Sequence, residues 1–255
     1  MRTANPALKT TTFSSARAFA MDDSQRMTVQ GAATKTLILL LLAVGAAIFV
    51  WTKFFAFAPE QYAEGAQAVT PWLIGGSLGG LIVAFIVIFK PGSAPVLAPA
   101  YAALQGLALG GISAVFEASW PGIVVPAVGL TFGTLFVMMT AYKTGLIRVT
   151  DKFRMGVISA TGAIFLFYLL SFLLGLFGVR MPLLHGGGLL GIGISVAFIV
   201  VAALNLVLDF DLIEQGARSG APKHMEWYGA FALMVTLVWL YMEMLRLLAK
   251  LRSRR

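Results

Sequence analysis

Four carboxylate side chains lie inside or at the edges of long apolar stretches of the sequence: Glu117, Asp209, Asp211 and Glu243. Placing an acid at the centre of a bilayer costs about 3 kcal/mol on insertion scales, so such residues are found mainly where they serve ions or protons. Two carboxyl groups close together in a dry interior would share a proton or hold a cation. These four residues are therefore the candidate site for the passage of ions or protons.

The two aspartates of the sixth apolar stretch cannot both face one narrow cavity. Asn205 and Asp209 are four residues apart and share a helix face, whereas Asp211 is turned about 200° away from Asp209. We expect one aspartate in the bundle interior and the other at the cytoplasmic surface. For Glu243 two interpretations stay open, a local pair with Arg246 or a position that faces Asp209 across the bundle.

Glu117 follows the third apolar stretch and precedes a short turn. It is either an interfacial acid or part of an ion path.

Metal and nucleotide motifs are missing from the sequence. His185 and His224 occur singly, without the paired spacing of a zinc site, and no Walker motif is present. The sequence therefore predicts neither an enzyme nor a resident cofactor.

The elements that hold these residues must be membrane helices. The chain is 59% hydrophobic and 12% charged and contains no cysteine, and its mean hydropathy is +0.87. Its apolar blocks are continuous, which favours helices over the alternating strands of an outer-membrane barrel. We predict an all-α polytopic protein, a bundle of seven helices of about 20 residues each. The predicted spans are Leu37 to Phe57, Pro71 to Phe89, Val96 to Phe116, Gly122 to Ala141, Val157 to Phe177, Gly188 to Leu208 and Tyr228 to Leu248.

The spans divide the chain into a flexible basic N-terminal segment (1–36), a membrane domain (37–251) and a basic C-terminal tail (252–255). Lys and Arg concentrate in the N-terminal segment and in the second, fourth and sixth loops, so the N-terminus is expected in the cytoplasm. After seven crossings the basic tail either is tolerated outside, or one of the last two segments enters and returns. The net charge of +8 suits contact with an anionic lipid bilayer. Its scattered distribution argues against a nucleic-acid partner.

Four segments together are typical of one family: Ala98 to Gly111, Pro121-Gly122-Ile123-Val124, Asp209-Phe210-Asp211-Leu212-Ile213 and Leu240-Tyr241-Met242-Glu243. From about Met27 to Leu251 the chain resembles the bacterial branch of the transmembrane Bax inhibitor/YccA family. The resemblance implies a multi-pass protein of the bacterial inner membrane whose last helix lies centrally between two groups of three.

The resemblance also implies a function, a passive, pH-sensitive calcium leak gated by two acids on the sixth and seventh helices. Asp209 corresponds to the sixth-helix acid. Glu243 corresponds to the seventh-helix acid if Leu-Tyr-Met-Glu is aligned with the family's Leu-Tyr-Leu-Asp, whereas a shifted alignment places Thr236 there. Asp209 and Glu243 would then sense protons and ligate Ca²⁺ as the permeant ion. Glu117 resembles an acid near the end of the third helix in some members.

An alternative function is implied by other bacterial relatives, which modulate a membrane-bound protease by direct contact. In that case the protein would be a regulator that conducts no ions. The N-terminal segment, 1–36, would be the handle for such a partner.

Overall fold

The chain is described by a computed structural model over residues 26–178 and 188–254. Those residues form seven long α-helices and two short 3₁₀ turns. All seven helices are long and apolar enough to cross a membrane, which confirms the predicted all-α fold. The helices are α1 (Val29–Phe54), α2 (Tyr62–Phe89), α3 (Ala94–Ser119), α4 (Val124–Lys143), α5 (Asp151–Leu176), α6 (Leu189–Arg218) and α7 (Met225–Arg252).

The first helix begins earlier than predicted, at Val29 rather than Leu37. The cause is an N-cap that the hydropathy pattern does not show, because the Thr28 side chain accepts a hydrogen bond of 2.9 Å from the backbone N–H of Gly31. Residues 29–36, predicted to be flexible, are therefore helical. Residues 1–25 of that predicted segment lie outside the described residues.

The last helix is the central one. It packs on α1, α3, α4 and α6, and 50% of its most apolar 18-residue window is buried, the largest share among the seven helices. The corresponding shares are 17% for α2 and 11% for α4 and α5. Those three helices therefore present most of their apolar surface to the lipid bilayer, whereas α7 presents most of its surface to protein.

The last two helices both run the whole length of the bundle. We call the end where α1 begins the near end and the opposite end the far end. The backbone N–H of Met27 donates to the carbonyl of Ala221 at 2.7 Å, which places the α6–α7 connection at the near end. Arg252 donates to the carbonyls of Pro121 and Gly122 in the α3–α4 turn, at the far end. The alternative in which one of the last two segments enters and returns is therefore not the structure of this chain.

A buried ion pair joins α1 to α7 at the near end, and we call it the near-end latch. Glu226, only 1% exposed, accepts hydrogen bonds of 2.9 Å from both the backbone N–H and the hydroxyl of Thr28. Its other oxygen is paired with the Lys35 ammonium. Gly31 faces this carboxylate so closely that a Cβ there would overlap it. The latch therefore depends on a residue without a side chain.

We expect Gly31→Ala to destabilise the protein by about 1 to 3 kcal/mol, because the added methyl group must displace the Glu226 carboxylate. Thermal unfolding in detergent, followed by circular dichroism, measures the effect. Gly45→Ala in the same helix is the matched control, since a Cβ there meets no atom within 4 Å and alanine favours the helix. Equal melting temperatures for the two variants would contradict the close approach of Gly31 and Glu226.

Candidate functional site

Polar side chains of α5, α6 and α7 follow one another from the near end to the far end, and we call this line the polar seam. On α7 the seam residues Thr236, Glu243 and Lys250 recur at intervals of seven, which places them on one helix face. Polar groups at membrane depth are typical of ion and proton paths, so the seam is the candidate functional site. From near to far, its contacts are Arg154 with Asp211, Asp209 with Thr236, Thr161 with Asn205, Tyr168 with Glu243 and Arg246, and Ser195 with Lys250.

Asp209 is partly buried in the seam and is held by a hydroxyl group. The Thr236 hydroxyl donates a hydrogen bond of 2.6 Å to the Asp209 carboxyl group. The helical rise places Asp209 about 13 Å before the end of α6. Asp209 takes part in none of the ion pairs formed within residues 26–178 and 188–254. Within the described residues, Asp209 is therefore held by a hydroxyl rather than by a cationic side chain.

Glu243 lies further along the seam and is almost fully buried, with 1% of its side chain exposed. One of its oxygens accepts hydrogen bonds from the Tyr168 hydroxyl at 2.5 Å, from the Arg246 guanidinium at 3.0 Å and from the Trp239 indole at 3.3 Å. The local pair with Arg246, one of the two interpretations open from the sequence, is thus the contact that forms.

The predicted pairing of Asp209 with Glu243 is not formed in this structure. Thr236 lies opposite Asp209, as in the shifted alignment, and Glu243 follows seven residues later, roughly 10 Å along the helix. Calcium ligands must lie within about 2.6 Å of the ion, so these two acids cannot ligate one calcium ion in this conformation. The described residues also contain no group of three or more Asp, Glu or His side chains that could hold a metal.

Asp211 belongs to a cluster at the near end of the seam. It accepts hydrogen bonds from Arg154 at 2.7 Å and from Gln215 at 2.6 Å, and it points away from Asp209 as the helical spacing requires. Gln215 also lines a cavity of about 580 Å³ at the near end. The Asp211 cluster therefore lies beside a cavity large enough for water.

Glu117 lies outside the seam and holds the α3–α4 turn together. Its two oxygens accept hydrogen bonds from the backbone N–H groups of Gly122 at 2.5 Å and Val124 at 3.1 Å. These contacts satisfy free N–H groups at the start of α4 and place a negative charge at the positive end of its dipole, which is favourable. In this structure Glu117 is therefore an acid that closes a turn.

Sequence analysis did not single out Glu226 of the near-end latch or Lys250 and Tyr168 of the polar seam. Lys250 is buried and donates to the Gly191 carbonyl at 2.9 Å and to the Ser195 hydroxyl at 2.8 Å. Its interval of seven residues from Glu243 was a signal that could have revealed it. Glu226 follows a polar connection and Tyr168 lies in an aromatic-rich span, so nothing in their local sequence distinguishes them.

Comparison with known proteins gives one match. A family model described as Bax inhibitor 1 like matches residues 5–253, a range that contains all seven helices. No curated protein and no solved structure matches the chain.

We expect Thr236→Val to destabilise the protein by about 1 to 3 kcal/mol, because the substitution keeps the shape of the side chain but leaves the Asp209 carboxyl group without its hydroxyl partner. Thr134→Val is the matched control, since the Thr134 hydroxyl bonds only to the carbonyl of Leu130 in its own helix. Thermal unfolding in detergent compares the two variants. A melting temperature lowered equally in both would show that the Thr236 contact with Asp209 adds no stability.

Proposed function

The chain belongs to the Bax inhibitor 1 like family, and on that premise we propose that it is a pH-sensitive passive leak pathway for cations that runs along the polar seam. The observation that supports this most directly is Asp209, a partly buried acid that is held by a hydroxyl and has no ion-pair partner among the described residues. A passive pathway needs neither a nucleophile nor a cofactor. The proposed activity is therefore transport without catalysis.

Calcium is the proposed permeant ion because the groups around Asp209 are hard oxygen ligands. A carboxylate, the Thr236 hydroxyl and the side chain of Asn205, one turn earlier on the same face, are ligand types that suit a hard divalent cation. Conduction requires binding that is favourable enough for entry and weak enough for release. A single carboxylate meets that requirement better than a closed cage of acids would.

The proposed pH sensitivity follows from the charge of Asp209. The ionised acid attracts a cation into the seam, whereas the protonated acid is neutral and attracts none. Both forms can keep the hydrogen bond with Thr236, because a hydroxyl can donate or accept. Flux is therefore expected to fall on acidification. In this mechanism one acid replaces the proton-sharing pair that the sequence suggested.

We further propose that the protein lies in the bacterial inner membrane with its near end in the cytoplasm. The α4–α5 connection and the helix ends beside it carry Lys143, Arg148, Lys152 and Arg154, and short basic connections are retained on the cytoplasmic side. Asp209 is closer to the near end than to the far end, so it would exchange protons with the cytoplasm.

We expect Asp209→Asn to reduce calcium flux at least about tenfold and to abolish its pH dependence, since the amide cannot carry the charge that attracts the cation. The measurement is calcium entry into liposomes that contain purified protein and a trapped calcium dye, over mildly acidic to neutral pH. Glu64→Gln, at an exposed acid in the first turn of α2, is the matched control and should conduct like the unaltered protein.

An unchanged pH profile in Asp209→Asn would reject Asp209 as the sensor. Absence of flux in every variant, the unaltered protein included, would reject the leak and leave the contact regulator as the proposal to pursue. The contact regulator would be tested by deletion of Met1 to Gln25, the larger part of the proposed handle. This deletion spares the Thr28 and Lys35 groups that hold Glu226.

A further inference from the structure

The seam is crossed by a side-chain bridge between α5 and α7. Helix α5 packs directly on α6, and it contacts α7 through the side chain of Tyr168. The Tyr168 hydroxyl donates to Glu243 at 2.5 Å and accepts a hydrogen bond from Arg246 at 2.6 Å. The Arg246 guanidinium also lies over the Tyr168 ring, 5.1 Å from its centroid. We call these three residues the Tyr168 bridge, and it lies between Asp209 and the far end.

The charges on the two sides of the bridge differ in sign. On its near side, Asp209 carries a carboxyl group without an ion-pair partner among the described residues. At the bridge and beyond it, Arg246 and Lys250 are two cationic groups beside the single acid Glu243. A cation attracted to Asp209 therefore meets fixed positive charge before it reaches the far end. Positive side chains at a constriction are barriers to cations.

We propose that the Tyr168 bridge is a second barrier in series with Asp209, and that Arg246 is the residue that limits the passage of cations. This inference rests on the proposed function, since it assumes that cations use the seam. In the structure the barrier is closed, because a hydroxyl and a buried carboxylate hold the guanidinium across the path. The Arg246 side chain is 36% exposed, so a guanidinium released by its partners can move toward the membrane surface while its stem stays in apolar surroundings.

Tyr168→Phe isolates the hydroxyl from the packing. The Tyr168 ring contacts the ring of Phe198 at 5.5 Å between centroids, and phenylalanine preserves that contact. The substitution removes only the oxygen that Glu243 and Arg246 share. Loss of hydrogen bonds to charged groups shifts the equilibrium between the closed bridge and a released Arg246 side chain by roughly tenfold or more. We therefore expect calcium flux into liposomes to rise about tenfold or more in Tyr168→Phe.

Tyr62→Phe is the matched control for that experiment. It makes the same chemical change at the start of α2, where the Tyr62 ring packs on Phe54 and Phe55, away from the seam. Its flux should equal that of the unaltered protein. An equal rise in both variants would show that loss of a tyrosine hydroxyl loosens the bundle in general, and it would overturn the assignment to the bridge.

The charge of Arg246 is tested separately from the bridge geometry. Arg246→Gln removes the charge and should raise flux like Tyr168→Phe. Arg246→Lys keeps the charge but loses the planar fork that contacts both partners, and its flux should stay between those of Arg246→Gln and the unaltered protein. Equal flux in the Gln and Lys variants would overturn the role of the charge.

Cysteine accessibility tests the bridge without any measurement of flux. The chain contains no cysteine, so a single introduced thiol is the only site that a thiol reagent can label. Thr161→Cys places that thiol on α5, beside Asn205 and nearer to the near end than Tyr168. A membrane-impermeant cationic methanethiosulfonate reagent, applied to oriented vesicles from the far-end side, should label it about tenfold faster when Tyr168→Phe is also present.

The two readouts separate this inference from the proposed function. Faster labelling with no flux in any variant would uphold the bridge as a barrier to water and ions and would overturn the leak. Unchanged labelling and unchanged flux in Tyr168→Phe, with flux still lost in Asp209→Asn, would overturn the bridge and uphold the leak.

Discussion

The cost of placing a charge in hydrocarbon determines where the polar side chains of this bundle lie. Glu226 is paired with Lys35, and Glu243 is paired with Arg246. Both carboxylate side chains are buried in the bundle. Within the described ranges, every buried side-chain nitrogen or oxygen has a hydrogen-bond partner. Asp209 satisfies the same constraint with a hydroxyl instead of a cation. That difference distinguishes Asp209 from the two buried acids that are held by cationic side chains.

The fold could be predicted from the sequence because the bilayer imposes a length and a composition on each span. All seven predicted spans overlap the observed helices. Their ends were less predictable, since helix ends are determined by caps and contacts in polar surroundings. The first helix starts at the Thr28 cap, and α6 continues to Arg218, well past the predicted end at Leu208. A hydropathy pattern has no information about either feature.

The candidate site was only partly predictable, for reasons of register. Helical spacing alone separates Asp209 from Asp211, and the local contact of Glu243 with Arg246 follows from their interval of three. The α7 residue opposite Asp209 is determined by the axial alignment of α6 with α7. The spacing of residues within each helix contains no information about that alignment. Thr236 and Glu243 are both compatible with the sequence. The structure places Thr236 there.

The near-end latch connects the first of the described helices with the last. Thr28 and Glu226 are separated by 198 positions in the chain, so the Lys35 ammonium enters the membrane region long before its carboxylate partner exists. Until α7 is inserted, the start of α1 lacks the pairing that the finished bundle provides, and chains emerge at only about 5 to 20 residues per second. A truncated product that lacks α7 would therefore leave the Lys35 ammonium without the carboxylate that holds it in the described bundle.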